Sequence, residues 1–515
     1  MNTIRPETWK QDLPAFREKT AEFYAGELDK AAYKGFSGFY GSYAQRGGQA
    51  NMLRLRMTAG RVTPEKLAFT ARVIQDYRVP RIHFTTCQTI QLHDLDGRTA
   101  GDIMEAALDA GIVTMGGGGD YPRNVMCSPL SGVEPGEYFD VLPWAEAAGE
   151  YLMTFIKAEK MPRKLKVGFS NSPQNITHAT YRDLGFAARP DGTFDVYSAG
   201  GLGNNPRFGV KVAEAVPPRK ILYYIKAMWL TFRAYGNYEN RGRARTRYMQ
   251  DACGGPEAYA KAYQEKLQEV FASGENLDID RVEALADRDG DGTAAEGPRV
   301  IPQKQPGRYA VVWHPLGGQP DPATFCALSD LLAGMDGAEM RLSPDESAYL
   351  VNLTGAQAQK VLALTEPDSA RSLFETSVSC IGGATCQVGL RDSQGLLASC
   401  VRAVREAQLP DGALPQIHIS GCPSSCGTHQ TGALGFRGAS KAVDGKPRSA
   451  FTLYVGGDAR QGQETMGREL GVILEDRIPA FLVEIGQAAA AQGGFFPWRD
   501  VHPAALEEIA GRYLA

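Results

Sequence analysis

No stretch of this chain approaches the roughly 20 consecutive apolar residues that a membrane-spanning helix requires. The most apolar run, Ile221 to Phe232, is broken by Lys226. An excess of positive charge is also missing: 55 Lys and Arg stand against 59 Asp and Glu, a net charge of -4. The whole surface therefore cannot displace counterions from nucleic acid or anionic lipid, and any basic patch is local. The opening MNTIRPETWKQDLPAF has no apolar core with a small-residue cleavage site, and its acidic residues argue against a transit peptide. A cytoplasmic chain beginning at this point is expected. No dinucleotide fingerprint opens a helix after a strand, and Gly116 to Gly119 lacks a following GK[ST], so no phosphate loop, NAD(P)H or flavin module is expected.

Cysteine is present in an odd number. The nine (positions 87, 127, 253, 326, 380, 386, 400, 422 and 426) fit poorly with a fully paired disulfide framework and well with reduced thiols. Four of them form two tight pairs within 47 residues, as expected of thiolates that are metal ligands. At 515 residues and 43% hydrophobic content, the chain is too long for one core and has room to bury a large cofactor.

The chain contains a long internal repeat. Residues 50 to 110 and 307 to 365 share one pattern of strand, Gly-rich turn, helix, strand and helix. NMLRLRMTAGRVTPEKLAFTARVI with RIHFTTCQTIQLHDL matches RYAVVWHPLGGQPDPATFCALSDLL with EMRLSPDESAYLVNL. The segments that follow echo each other too: KVGFSNSPQNITHATYRDLGF then FDVYSAGGLG, against HISGCPSSCGTHQTGALGF then FTLYVGGDA. A period this long, occurring twice, indicates duplication and a pseudo-two-fold α+β arrangement rather than a solenoid. Only the second copy has the cysteine pairs, so one copy is expected to hold metal and the other to supply a polar, cationic wall.

Between the copies, SGENLDIDRVEALADRDGDGTAAEGPRVIPQKQPG reads as a solvated linker. Asp287, Asp289, Asp291 and Gly292 imitate a calcium loop, but its twelfth position is Pro298 and no bidentate Glu is available there.

Cys380-Ile-Gly-Gly-Ala-Thr-Cys386 is followed by Gly421-Cys422-Pro423-Ser424-Ser425-Cys426-Gly427. Four soft, anionic thiolates suit an iron-sulfur cube. Gly382, Gly383, Gly421 and Gly427 permit a tight backbone around it, with amides free to bond its sulfurs. A structural zinc site and plain buried thiols are the competing readings. The five-residue gap of the first pair is wider than zinc loops usually show.

The C-x5-C pair followed by G-C-P-x-x-C resembles the ferredoxin-dependent nitrite and sulfite reductase family, over about residues 40 to 490. The resemblance implies that Cys380, Cys386, Cys422 and Cys426 hold a [4Fe-4S] cluster and that Cys426 also bridges to siroheme iron. Further segments match in order. Met52-Leu53-Arg54-Leu55-Arg56 resembles the family's first strand, and Thr85 to His93 its T-T-R-Q-x-x-Q-x-H/R strand. Asp120-Tyr121-Pro122-Arg123-Asn124 resembles a segment presenting an anion-binding arginine. Pro162-Arg163-Lys164-Leu165-Lys166, the turn Gly200 to Gly203 and the run Asn240 to Tyr248 follow.

From these matches the resemblance implies siroheme contacts at Arg54, Gln91, His93, Arg163, Gly201, Arg241, Arg243, Arg245, Arg247 and Cys426. It also implies an anion site of Arg56, Arg123, Lys164 and Lys166. Siroheme's eight carboxylates demand cations, and arginine suits bidentate contact. As the anion is reduced its oxygens must be protonated; lysine is the better proton donor, since burial among cations eases its deprotonation while arginine stays charged. The family usually has arginine where this chain has Cys87, so one contact is missing and a small buried thiol is expected there. Cys127, Cys253, Cys326 and Cys400 match no ligand position. His93, His178 and His429 are as readily core histidines as proton relays.

The implied fold is α+β, a three-domain nitrite/sulfite reductase-like fold with ferredoxin-like halves and two larger α/β sandwich-type domains. The expected order is an arm (1–45), first half-domain (46–115), siroheme and substrate domain (116–272), linker (273–304), second half-domain (305–370) and cluster domain (371–515). The implied activity is six-electron reduction of sulfite to sulfide, with nitrite reduction to ammonia as the alternative. Within the family's P-R-K-x-K pattern nitrite reductases often carry asparagine at the second lysine, here Lys166, and a dianion gains more from an added cation than a monoanion does. Electrons would come from a separate ferredoxin or flavoprotein. An electron carrier or redox sensor with a cluster but no siroheme would need no anion pocket.

Overall fold

The computed structural model describes residues 6–283 and 288–515. Asp287 of the calcium-like run lies outside them. Asp291 acts instead as a local clamp, accepting from Thr293 N (2.9 Å) and from Ala356 N (3.3 Å) at the start of the helix Gly355–Thr365. The chain divides into two compact units. The first comprises the chain up to Gly201 with Asn205–Trp313 and Pro320–Pro367; the second comprises Leu202–Asn204, His314–Gln319 and Asp368–Ala515.

The first unit holds three sheets. A four-stranded antiparallel sheet runs Ser42–Ala44, Asn51–Arg56, Thr89–Leu95, Arg81–Phe84, and its near-continuous burial matches its apolar alternates. The helices Pro64–Asp76 and Gly97–Asp109 belong with it. Thr63 caps the first by accepting from Lys66 N, with Pro64 at the position where a missing N–H is tolerated. The repeat supplies a second sheet: Val300–Pro302, Arg308–Trp313, Ala348–Thr354, Glu339–Leu342. Its helix Pro322–Ala333 begins the same way, with Asp321 capping Thr324 N before a proline. Arg61–Val62 leaves the first copy to pair with Arg341 and Met340 of the second, and both sheets share one apolar core that includes Phe84, Trp313 and Phe325.

The third sheet has the order Val210–Val216, Phe194–Ser198, Leu184–Ala188, Leu165–Ser170, Pro122–Cys127, parallel over its last three strands and antiparallel over the rest. The apolar run of the sequence is here a helix, Ile221–Tyr235, packed on Pro256–Ala272 over a core of Phe169, Phe186 and Phe194. Among the described residues no helix is long and apolar enough to cross a membrane.

The second unit repeats that plan. Val378–Ser379, Ile417–Ser420 and Leu434–Val443 are parallel, then Lys446–Val455 and Arg468–Leu474 antiparallel, covered by Ser393–Glu406 and Ile478–Ala490.

The duplication reaches individual backbone angles. Ala59, Gln88 and Asp94 have positive φ, as do Gly317, Glu346 and Asn352, each 258 positions on. Asn175 and His178 likewise match Ser425 and Thr428, each 250 positions on. A Cβ on Gly185 would strike Ala179 O at 1.7 Å and one on Gly435 would strike His429 O at 1.8 Å, so both copies require glycine at that crossing.

Candidate functional site

The cation cluster lies in the first unit and starts on the strand Asn51–Arg56, where alternation points Arg54 and Arg56 to one side. Arg54 and Arg123 both donate to Gly117 O, and Arg123 also donates to Gly119 O at 2.8 Å. The glycine run 116–119, which has no phosphate-binding signature, is thus a platform of carbonyls for two arginines. It has no room for side chains: a Cβ on Gly117 would meet Thr114 O at 2.7 Å and one on Gly118 would meet Gly38 O at 2.5 Å.

Arg56 is buried and gives its Nη groups to three carbonyls: Met115 (3.3 Å), Pro122 (3.0 Å) and Arg123 (2.9 Å). Burial, then the charges of Arg123 and Arg54, pull its pKa down to about 9. Arg123 is pulled to about 10 by burial and by Arg54, and its buried Nε has no hydrogen-bond partner among the described residues. Clustered, desolvated guanidiniums of this kind destabilise one another unless an anion joins them.

Two carboxylates that sequence reasoning did not single out organise the remaining cations. Asp120 accepts from Arg163 Nη1 (2.6 Å) and from both Nη groups of Arg241. Asp183, 1% exposed, accepts from Lys166 N (2.8 Å), Arg245 Nη2 (3.0 Å to each oxygen) and Thr246 Oγ1. Burial alone would raise the Asp183 pKa; Arg245 and the Thr246 hydroxyl hold it below the usual carboxylate range. Arg245 and Arg247 each bury an Nε without a hydrogen-bond partner among the described residues, and the Arg247 guanidinium lies 4.9 Å from the centre of the Tyr248 ring. Gly201, at φ 150, pairs with Arg207 across a short bridge. Arg243 is exposed on the turn Arg241–Arg243. Lys164 precedes the strand that carries Lys166.

Arg182 is a further buried cation missed in the sequence. Its Nε donates to Thr177 O at 2.7 Å, and burial pulls its pKa down. Gln91 faces His83 (3.2 Å) and is the cross-strand partner of Arg54. His93 Nδ1 lies 3.0 Å from Gln45 Oε1, and burial with His83 nearby keeps the ring neutral. His429 is held neutral by burial and Arg437, with its pKa near 3. The His178 ring stacks on Tyr181 at 4.8 Å.

In the second unit the four paired cysteines lie on two loops, one after Val378–Ser379 and one after Ile417–Ser420. Cys380 Sγ accepts from Gly421 N at 3.2 Å and lies 3.2 Å from Ser393 Oγ. Leu390 N and Arg391 N both donate to Gly421 O, joining the loops. The glycines are required by space. A Cβ would meet Ser393 N at 2.7 Å from Gly382, Arg391 O at 2.9 Å from Gly383 and at 2.5 Å from Gly421, and Ile419 O at 2.0 Å from Gly427. Burial and then Cys426 push the Cys380 thiol up to about 12, so a thiolate there needs a metal cation.

Among the described residues no three His, Cys, Asp or Glu side chains converge as they would on one ion. Four thiols on two glycine-tight loops are a donor set that could supply one thiolate to each of the four irons of a cube. Both cofactors are therefore matched by the residues present: a cube by the glycine-tight thiol loops, a polycarboxylate macrocycle by the buried guanidiniums with unpartnered Nε atoms.

Comparison with known proteins gives two family matches. Residues 43–110 match the nitrite/sulfite reductase ferredoxin-like half domain, and residues 118–271 match the nitrite and sulphite reductase 4Fe-4S domain. The second match falls within the first copy, and the matched residues contain only Cys127 and Cys253. Relatives include a ferredoxin–nitrite reductase of Synechococcus elongatus, 27% identical over 82% of this chain and 83% of its own length. An assimilatory ferredoxin-dependent nitrite reductase of Haloferax mediterranei is 25% identical over 95% and 89%. A sulfite reductase [ferredoxin] of Mycolicibacterium paratuberculosis is 22% identical over 88% and 85%. The solved structure of the Mycobacterium tuberculosis NirA protein shares the fold, with a TM-score of 0.78 over 96% of this chain and 94% of its own at 22% identity.

Proposed function

Because this chain belongs to the nitrite and sulfite reductase family, as an oxidoreductase with siroheme and a [4Fe-4S] cluster, we propose that it reduces sulfite to sulfide by six electrons. When bound, that cofactor pair supplies a substrate-binding iron and an electron store for one-electron steps. Cys380, Cys386, Cys422 and Cys426 would hold the cube, and Cys426 would also serve the siroheme. Arg54, Arg163, Arg241, Arg243, Arg245 and Arg247, with Gln91, His93 and the backbone at Gly201, receive the macrocycle, its carboxylates going to the arginines.

Arg123, Lys164 and Lys166 hold the anion's charge. Arg56 acts through them, since its carbonyl bonds fix the segment that presents Arg123. The lysine ammoniums carry the protons that each released water requires. A ferredoxin donor is supported by the names of the relatives, and a cytoplasmic setting by the unpaired cysteines.

The observation that carries the sulfite reading is Lys166, an added cation on the strand Leu165–Ser170 that a dianion uses more than a monoanion does. Nitrite is the second reading. It is favoured by the nitrite reductases among the relatives. Turnover of purified enzyme with each anion, from one electrochemically reduced donor, tests this. Sulfite should give the higher kcat/KM; a lower value than nitrite would overturn the choice of substrate.

A further inference from the structure

One buried cation of the first unit stands without a counter-charge. Arg182 is 8% exposed, and its side chain bonds Thr177 O from Nε at 2.7 Å and His178 Nδ1 from Nη2 at 3.5 Å. Its Nη1 has no partner among the described residues, and no carboxylate among them forms an ion pair with this guanidinium. The adjacent Asp183 is committed elsewhere, to Lys166 N, Arg245 and Thr246. Arginine keeps its charge where a lysine could release a proton, so the cost of burying it is met only by an anion.

The repeat shows that the fold itself does not need a charge at this place. The Arg182 stem lies over Gly168, where a Cβ would meet its Cγ at 3.4 Å. At the same crossing 250 positions on, the roles are exchanged: the strand has His418 and the loop has Gly432, whose Cβ would meet His418 Cδ2 at 2.5 Å. His418 Nδ1 lies 2.8 Å from Thr428 Oγ1, within its own loop. One side chain fills the crossing in each copy, an imidazole in the second and a permanent cation in the first.

Its surroundings say which anion. Gly200 N donates to Arg182 O at 2.9 Å, which ties the residue to the turn where a Cβ on Gly201 would meet the Arg247 side chain at 3.8 Å. Asn124 Nδ2 donates to Cys87 O at 3.0 Å and so holds the turn that lacks the family's usual arginine to the strand Pro122–Cys127, in which Met126 is the register partner of Gly168. Of the arginines assigned to the macrocycle, Arg163 and Arg241 already share Asp120 and Arg245 has Asp183. A substrate anion leaves after each turnover and would strand the Arg182 charge in the resting enzyme, whereas a resident carboxylate stays.

We propose that Arg182 is a further siroheme-binding residue, its guanidinium taking a carboxylate of the macrocycle. The inference rests on the reading that arginines of the first unit receive siroheme. A charge-assisted bond of this kind is made only in the loaded protein, so its loss weakens retention of the cofactor before it weakens the fold.

The test is siroheme release from the holoenzyme in urea, followed at the Soret band while tryptophan fluorescence reports folding, for wild type, Arg182→Gln and Arg182→Lys. At a urea concentration where the fluorescence stays native, Arg182→Gln should lose siroheme about tenfold faster than wild type, the weight of one charge-assisted hydrogen bond. Arg182→Lys keeps the charge without the planar fork and should release about threefold faster. The KM of the loaded enzyme for sulfite and for nitrite should stay within about twofold of wild type. Release as slow as wild type from either variant, or release that tracks unfolding in the variants, overturns this inference alone. If that slow release comes with a KM raised about tenfold for both anions, the substrate is the partner instead. A wild type purified without siroheme removes the reading on which the inference rests.

Discussion

The two copies of the repeat share a backbone and divide the chemistry. In the loops after the strands Leu165–Ser170 and Ile417–Ser420, Ser172, Ile176 and Asp183 of the first copy stand where the second has Cys422, Cys426 and Ala433. The turns match nonetheless: Asn175 N donates to Ser172 O as Ser425 N does to Cys422 O, and Gly209 N to Thr180 O as Gly467 N does to Gln430 O. In the half-domains, Arg54 and Arg56 stand where the second copy has Val312 and His314. Positive φ and glycine crossings are thus properties of the frame, whereas ligand and cation positions changed freely on it. One copy kept thiolates in a glycine-tight loop; the other accumulated buried guanidiniums with Asp183 to anchor them.

This comparison can be broken most severely at the thiolates. Cys426→Ser should abolish reduction of both anions and remove the visible absorption of the protein, while Ile176→Ser at the equivalent place should leave the absorption intact. Equal losses would mean that the two loops are not chemically distinct.

Asp183→Ala gives the first copy the residue of the second. It leaves the half-buried Arg245 without its partner, and the loss should fall below the roughly 3 to 5 kcal/mol of breaking a fully buried pair, readable in urea unfolding of the holoenzyme. Because the folded pKa of Asp183 is depressed, its contribution is present above the ordinary carboxylate range and is lost as pH falls through the lower folded value. The gap between variant and wild type should therefore close at strongly acid pH; a gap that is constant with pH would show that the charge of Asp183 is not what stabilises.

Gly185→Ala and Gly435→Ala probe what the copies share. Each Cβ would fall on a carbonyl oxygen, and overpacking of this kind costs about 1 to 3 kcal/mol, so the two losses should be equal within about 0.5 kcal/mol. A large inequality would show that the common geometry is superficial.

The smallest effect is one of selectivity. Lys166→Asn should lower kcat/KM for sulfite about tenfold more than for nitrite, the effect of one charge-assisted hydrogen bond; equal losses would remove the argument for sulfite.

Much of the frame is legible in the amino-acid sequence. The repeat shows there because turn glycines and strand alternation are local constraints, and the cysteine pairs because ligand chemistry admits few residue types. The anchors are not legible. Asp183 meets Arg245 across 62 positions and Asp120 meets Arg241 across 121, and a single carboxylate carries no spacing signal of such a contact. The family resemblance implies that Arg56 faces the anion, yet its Nη groups serve carbonyls 59 to 67 positions away. The run Gly116 to Gly119 lacks a phosphate motif, and its use by Arg54 and Arg123 depends on carbonyl directions that composition does not encode. At Cys87 the sequence points to a small buried thiol, whereas the structure leaves it half-buried in the turn between Arg81–Phe84 and Thr89–Leu95.

The most direct test of the account is the absorption spectrum and iron content of the purified protein. Tetrapyrrole bands together with the iron of one four-iron cube and one siroheme per chain are predicted. A colourless protein without iron would contradict the assignment of all four thiolates, and with it the reaction.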